Sequence, residues 1–229
     1  MIELVLVRHA QPMWEPGGRA VDNPELTELG LQQANRLAEW LSGEHFDAFY
    51  CSPLLRCRQT AAPLEALWRR SCTILSWLEE IRLPTLEGQP SAQVHEFLAQ
   101  VRARDLEDWW EGAPGGESFR HFHERVVGGL EPLLTRDHRA ELHSEASYRL
   151  WQVPSESERI LVVAHGGTIA VMLSFLLGIE PVPWEWERFK VGWCGLSVVR
   201  SVELATGALW SLTSFNARGH LAGLPDPWG

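Results

Sequence analysis

Ile160-Leu161-Val162-Val163-Ala164-His165-Gly166-Gly167-Thr168 is the stretch on which the fold turns. Five apolar residues in a row, most of them branched, read as a strand buried on both faces. The glycines and Thr168 then lead into an apolar helix reaching about Leu177. The chain opens on a similar run, Ile2-Glu3-Leu4-Val5-Leu6-Val7, followed by Arg8-His9-Ala10-Gln11. Leu29, Ala34, Leu37, Ala38 and Leu41 sit near helical spacing within 27–42, with Thr27 as the N-cap. Residues 46–51 form a second strand, after which Pro53 opens a helix to about Arg70. Residues 73–77 form a weak third strand, and further strands are expected at 188–192, 196–203 and 208–213. Strands alternating with helices imply an α/β three-layer sandwich, a mostly parallel central sheet with helices on both faces.

Residues 84–158 are less regular. Helical stretches fall around 92–110 and 117–136, and a polar segment at about 137–158 reads as either a lid or a surface insertion. The expectation is a single domain over 1–229 with a cap or insertion region at about 84–158. A length of 229 residues fits that organisation. With 45% hydrophobic and 22% charged residues, the chain falls outside the disordered class.

The formal net charge of −10 argues against nucleic acid or an anionic membrane as partner. An anionic substrate would need a local cluster of Arg and His working against that field. Lys190 is the single lysine, so that cluster would be built on Arg, whose fork suits bidentate phosphate contacts. The N-terminus lacks a basic leader region, and no apolar run approaches the roughly 18 residues of a membrane span. Cys51, Cys57, Cys72 and Cys194 form no C-x-x-C pair or zinc spacing, so free thiols in a reducing cytoplasm are expected. No Walker A or dinucleotide-binding glycine loop is present, and neither a cofactor nor a metal is expected. His121 and His123 do not make a metal pair, because residues two apart on a helix point away from each other.

Active groups in open α/β sheets gather at the carboxyl ends of strands. The residues that follow the first four strands are Arg8-His9, Cys51-Ser52-Pro53 with Arg56 a turn further on, Glu79-Glu80-Ile81, and His165-Gly166-Gly167. Two arginines, two histidines and a carboxylate would thus converge at one sheet edge.

Several segments of the chain carry a resemblance. They are Arg8-His9-Ala10, Leu26-Thr27-Glu28-Leu29-Gly30-Leu31-Gln32-Gln33-Ala34 and Ser52-Pro53-Leu54-Leu55-Arg56-Cys57-Arg58-Gln59-Thr60-Ala61. To these are added Leu78-Glu79-Glu80-Ile81, Gly116-Glu117-Ser118, Val162-Val163-Ala164-His165-Gly166, and Asn216 through His220-Leu221. In all of them the chain resembles the histidine phosphatase superfamily, also called phosphoglycerate-mutase-like. The likeness covers nearly the whole chain except about 84–112 and 137–158. It implies that His9 is a nucleophile that becomes phosphohistidine. It implies that Arg8, Arg56, His165 and Gly166 hold the phosphoryl oxygens and that Glu80 is the general acid and later the base. Gln11, Trp14 and Glu15 are expected on the substrate side. Two departures stand out. Ala10 replaces the glycine of the R-H-G signature, and Glu15 stands where relatives often carry Asn near the phosphate. A carboxylate there repels phosphate unless it turns away or is paired.

Elementary chemistry agrees with these roles. Phosphoryl transfer is catalysed mostly by positioning and by stabilising charge on the equatorial oxygens. His9 must attack as neutral imidazole, with its second nitrogen fixed on an acceptor such as a backbone carbonyl. Neighbouring arginines favour that neutral form. A protonated His165 at a helix start would add positive charge. Glu80 must deliver a proton to the leaving oxygen. The expected function is therefore metal-independent hydrolysis of a small-molecule phosphate monoester. A phosphoglycerate mutase and a catalytically weak regulatory or binding member of the fold are the alternatives. The sequence leaves the oligomeric state open, a homodimer being one option.

Overall fold

A computed structural model describes residues 1–145, 148–204 and 206–225. In chain order the strands are β1 (Ile2–Arg8), β2 (Ala48–Cys51), β3 (Thr73–Ile74), β4 (Glu141–Glu145), β5 (Tyr148–Gln152), β6 (Glu158–Ala164), β7 (Leu196–Leu204) and β8 (Gly207–Ala217). The helices are α1 (Glu28–Trp40), α2 (Leu55–Trp68), α3 (Ser91–Arg102), α4 (Phe119–Pro132), α5 (Gly166–Leu176) and α6 (Glu185–Arg188). The described strands make one sheet in the order β3-β2-β6-β1-β7-β8-β5-β4.

Pairing is parallel from β3 to β1 and antiparallel from β1 through β7, β8 and β5 to β4. The sheet is therefore mixed, which corrects the mostly parallel expectation. Only two residues separate β7 from β8, a spacing that antiparallel neighbours allow, whereas the parallel strands β1, β2 and β3 are linked through α1 and α2. The 188–192 strand is not formed. Phe189 and Val191 lie in a loop instead, with Val191 buried. The third strand shrinks to two residues and passes into a 3-10 turn at Ser76–Leu78. The expected helix over 92–110 divides into α3 and a 3-10 segment at Leu106–Glu111. The helix expected to open at Pro53 begins at Leu55.

β1 shows why helices cover both faces. Its even residues Ile2, Leu4 and Leu6 pack in one core with Phe119, Phe122 and Val126 of α4 and with Ile169, Val171 and Leu173 of α5. Its odd residues Val5 and Val7 pack in the other with Ala34, Leu37 and Ala38 of α1 and with Ala61 and Leu64 of α2. Thr27 caps α1 as expected, its hydroxyl accepting from Gly30 N at 2.9 Å. Every residue of α5 is buried, consistent with its unbroken apolar run.

Within the segment expected as a lid or insertion, β4 and β5 pair antiparallel and prolong the sheet. β5 meets β8 at Trp151 and Ala208. β8 starts at Gly207 and runs toward Ala217, which pairs with Leu196, while Leu196 also pairs with Val7 at the carboxyl end of β1. Ala208 therefore lies at the opposite end of the sheet from His9.

Glu3 is the one acidic residue of β1, and it is buried. Its register partners are Arg159 on β6 and Arg200 on β7. Both are salt-bridged to it, Arg159 Nε at 2.8 Å from Oε1 and Arg200 Nε to Oε2. Burial works to raise the Glu3 pKa, but the hydrogen bonds and charges of the two arginines outweigh it and hold the carboxyl below its ordinary 4.5. A carboxylate with a lowered folded pKa stabilises the fold above its unfolded pKa and loses that contribution as pH falls through the folded value. We expect Glu3→Gln to cost about 1–3 kcal/mol near neutral pH, read from urea unfolding. The difference from wild type should narrow steadily below pH 4.5, and a constant penalty across that range would contradict this account.

Candidate active site

The carboxyl ends of β1, β2 and β6 lie side by side, so Arg8-His9, Ser52 and His165 meet there. The backbone N–H of His9 donates to Ala164 O at 2.9 Å, and its carbonyl accepts from Cys194 N at 3.1 Å. His9 Nδ1 lies 2.8 Å from the carbonyl of Ala10. A carbonyl can only accept, so Nδ1 carries the hydrogen and Nε2 keeps its lone pair. His9 is 2% exposed, and burial together with the charges of Arg8 and Arg56 holds its pKa well below the usual histidine value. It is a neutral imidazole with a defined tautomer.

His165 ends β6 and faces His9, with ring centroids 5.1 Å apart. Its Nε2 lies 2.8 Å from Ser52 Oγ, and Cys57 Sγ approaches the same nitrogen at 3.4 Å. Burial, then Arg56, His9 and Arg8, depress its pKa well below normal. Against the expectation of a cationic His165, burial and the neighbouring positive groups disfavour its protonated form.

The positive charge comes instead from Arg8 and Arg56. Arg8 Nη1 donates to Val191 O at 2.6 Å, while its Nε is buried without a partner. Arg56, on the first turn of α2, is 3% exposed, and both its Nε and Nη1 are unpartnered. Its guanidinium lies over the Trp14 ring at 4.8 Å, and that of Arg8 lies 6.0 Å from the Trp193 ring. Burial lowers the pKa of both arginines, yet guanidinium remains protonated at any ordinary pH. Buried cationic donors left without acceptors are costly, and they fit an anion bearing several oxygens.

Glu80 approaches from the loop after Ser76–Leu78. Its Oε1 accepts from Ile81 N at 3.1 Å and its Oε2 from Gly167 N at 2.9 Å. A Cβ at position 167 would collide with Glu80 Oε1, so this approach requires glycine. The carbonyls of Trp77, Glu79 and Glu80 all accept from Arg125 of α4, which is fixed in turn by Glu117 at 2.7 Å. Glu79 points elsewhere and pairs with Arg82 at 3.0 Å. Gly166 packs against the Arg8 side chain, where a Cβ would lie 3.5 Å from its Cζ.

On the expected substrate side, Gln11 Oε1 accepts from Thr27 Oγ1 at 2.6 Å, so part of that side chain serves the start of α1. Trp14 is exposed and faces Arg56. Glu15 pairs with His95 Nε2 of α3 at 2.8 Å, which supplies the partner its position demands. Trp184 and Trp186 both pack on Trp109.

Other supporting residues carried no assigned role in the sequence. Thr60 Oγ1 accepts from Ala10 N and donates to Arg56 O, tying the two arginine-bearing segments together. Asn216 Oδ1 accepts from Gly192 N, steadying the loop whose Val191 carbonyl holds Arg8. A Cβ on Gly195 would strike that amide oxygen. Cys57 is a buried thiol, and burial pushes its pKa up to about 12. Among the described residues, no cluster of three or more His, Cys, Asp or Glu could hold a metal ion.

The charges around His9 give a titration that can be read directly. In long-range 1H–15N spectra, His9 should remain in the Nδ1–H neutral form at pH 6. Arg56→Met removes one of the charges that depress its pKa, so the His9 transition should move upward in pH. No movement, or a downward one, would contradict the assigned cause.

The model of the histidine phosphatase superfamily (branch 1) matches residues 4–216. Phosphoserine phosphatase 1 of Hydrogenobacter thermophilus is 32% identical over 188 residues, covering 79% of this chain and 78% of that protein. A probable phosphoglycerate mutase of Yersinia pestis is 28% identical, covering 96% and 95%. Among solved structures, a mycobacterial glucosyl-3-phosphoglycerate phosphatase in complex with VO3 superposes with TM-score 0.70 at 26% identity, over 94% of this chain and 99% of that one. A phosphoserine phosphatase from Entamoeba histolytica in complex with 3-phosphoglyceric acid gives TM-score 0.66 at 25% identity, over 96% and 100%.

Proposed function

This chain belongs to the histidine phosphatase superfamily, and we propose that within it the protein is a metal-independent phosphatase of small phosphate monoesters. The observation that carries this reading is the neutral, tautomer-fixed His9 beside two buried guanidiniums with unpartnered donors.

In the first step, the Nε2 lone pair of His9 attacks phosphorus. The P–O bond to the leaving group breaks, and Glu80 transfers its proton to the departing oxygen. Arg8 and Arg56 hold the equatorial oxygens through the transition state. With Nε2 of His165 engaged by Ser52, its Nδ1 is the ring nitrogen that turns to the phosphoryl group. In the second step, Glu80, now a carboxylate, takes a proton from water as the water oxygen bonds to phosphorus. The P–N bond breaks, its electron pair returns to Nε2, and inorganic phosphate leaves. Gly167 N and the Arg125 brace hold Glu80 in place through both steps.

The mutase reading requires the phosphoryl group to be returned to a second anionic substrate. The Yersinia relative named for that activity is the more distant of the two in identity, at 28% against 32%. Of the region expected as a cap, 84–158, the part that contributes His95 beside Glu15 lies on the substrate side, while β4 and β5 join the sheet instead. A cytoplasmic location fits the four free, buried thiols.

Rapid acid quench with a 32P-labelled ester in the presence of EDTA should trap labelled wild-type protein. His9→Ala should trap none and lose turnover while keeping its thermal melt. Label in the variant, or EDTA-sensitive activity restored by a divalent ion, would defeat the mechanism.

The role of Glu80 is read from leaving groups. An alkoxide needs a proton in the transition state, and a nitrophenolate needs little help. Glu80→Gln should slow the phosphorylation burst by about 10²–10⁴-fold with an alkyl phosphate and far less with p-nitrophenyl phosphate. Glu79→Gln, whose carboxylate pairs with Arg82, serves as control. Equal losses with both esters would assign the proton to another group.

A further inference from the structure

We propose that the preferred substrate carries a flat apolar ring on its leaving group, bound between Trp14 and Trp193, and no second anionic group. This deepens the phosphatase reading and rests on it.

The argument starts from the two guanidiniums. Arg56 lies 4.8 Å over the Trp14 ring and Arg8 lies 6.0 Å from the Trp193 ring. Each of the two arginines with unpartnered donors therefore has an indole beside its guanidinium. The two indoles come from different parts of the chain, one from the segment after β1 and one from the loop before β7. Trp14 is 41% exposed, a large apolar surface left in water. Trp193 is half-buried, with an indole N–H that is buried and unpartnered. Such a pair of faces suits an aromatic group, stacked on one ring and edge-on to the other. The Trp193 N–H adds a donor for an ester or ring oxygen.

The second observation is electrostatic. Glu15 directly follows Trp14, and His95 engages its Oε1 at 2.8 Å. A carboxylate on the leaving group, as in phosphoserine or phosphoglycerate, would meet a segment whose acidic residue already engages the nearby His95 ring, so that ring is not free to answer it. An uncharged aromatic group needs no such partner.

The test uses esters of primary alcohols, so that leaving-group acidity does not decide the result. We would measure kcat/KM for 2-phenylethyl phosphate, propyl phosphate, phosphoserine and 3-phosphoglycerate, with p-nitrophenyl phosphate as a general phosphatase control. The intact protein should prefer 2-phenylethyl over propyl phosphate by about tenfold or more, and both carboxylate-bearing esters should fall below propyl phosphate. Trp14→Ala and Trp193→Ala should each cut the phenylethyl-to-propyl ratio severalfold, chiefly through KM, and Trp193→Phe should restore most of it. If p-nitrophenyl phosphate is hydrolysed while phenylethyl and propyl esters are equal, the phosphatase reading stands and the aromatic subsite is wrong. The subsite is equally overturned if phosphoserine or 3-phosphoglycerate leads, or if the alanine variants lower both alkyl esters alike, since the indoles would then only position the arginines. If no ester is hydrolysed at all, the phosphatase reading falls and this proposal with it. The wild-type comparison alone decides the matter should either alanine variant fail to fold.

Discussion

Two cationic side chains are buried beside two neutral histidines, and the rest of the molecule is arranged around that constraint. Neither Arg8 nor Arg56 makes an ion pair among the described residues, and between them three guanidinium nitrogens are left without acceptors. Burying unpaired charge is expensive, so the surrounding structure has to hold it in place. Val191 O restrains Arg8, and Asn216 restrains the loop that carries Val191. Thr60 couples Arg56 O to Ala10 N. Burial, helped by the same positive field, depresses the pKa of both histidines and so favours an unprotonated attacking nitrogen. One electrostatic arrangement thereby serves oxyanion recognition and nucleophile activation together.

The opposing carboxylate is kept at a controlled approach. Glu80 faces the cationic cluster yet is hydrogen-bonded to Gly167 N and Ile81 N, with its backbone anchored from behind by Arg125. Its neighbour Glu79 is drawn away by Arg82. Two adjacent carboxylates thus have different environments because the chain turns between them, and only one is presented to the site.

The parallel half of the sheet was legible because each of its main strands is a short apolar run ending in polar or small residues, as at Val7-Arg8-His9 and Ala164-His165-Gly166. Those ends led directly to His9, His165, Arg8 and Arg56. The antiparallel half was not legible as such. β7 and β8 are recognisable as strands, but their direction depends on which strands they pair with and has no local signature. Phe189 and Val191 looked like strand residues because they are apolar, yet they pack from a loop. The pairing of Glu15 with His95 spans eighty positions and rests on how α3 lies over the site, which no local pattern records. The protonation preference of His165 is not legible either, because sequence shows what a residue is next to in the chain, while burial and the spatial neighbours Arg56 and Arg8 set that preference.

The three-strand cluster of Glu3, Arg159 and Arg200 has a consequence for how the sheet assembles. It joins β1 to both of its neighbours at one level. Side chains alternate faces along a strand, so a one-residue slip of β6 or β7 would turn its arginine to the other face and take away one of the two counter-charges of buried Glu3. The apolar residues around it, Val5, Leu4, Ile160 and Val199, are similar enough in shape to tolerate such a slip on packing grounds alone. The carboxylate acts as an alignment mark: it admits one register of the three central strands, and with it the one alignment that brings Arg8, His9 and His165 to a common edge.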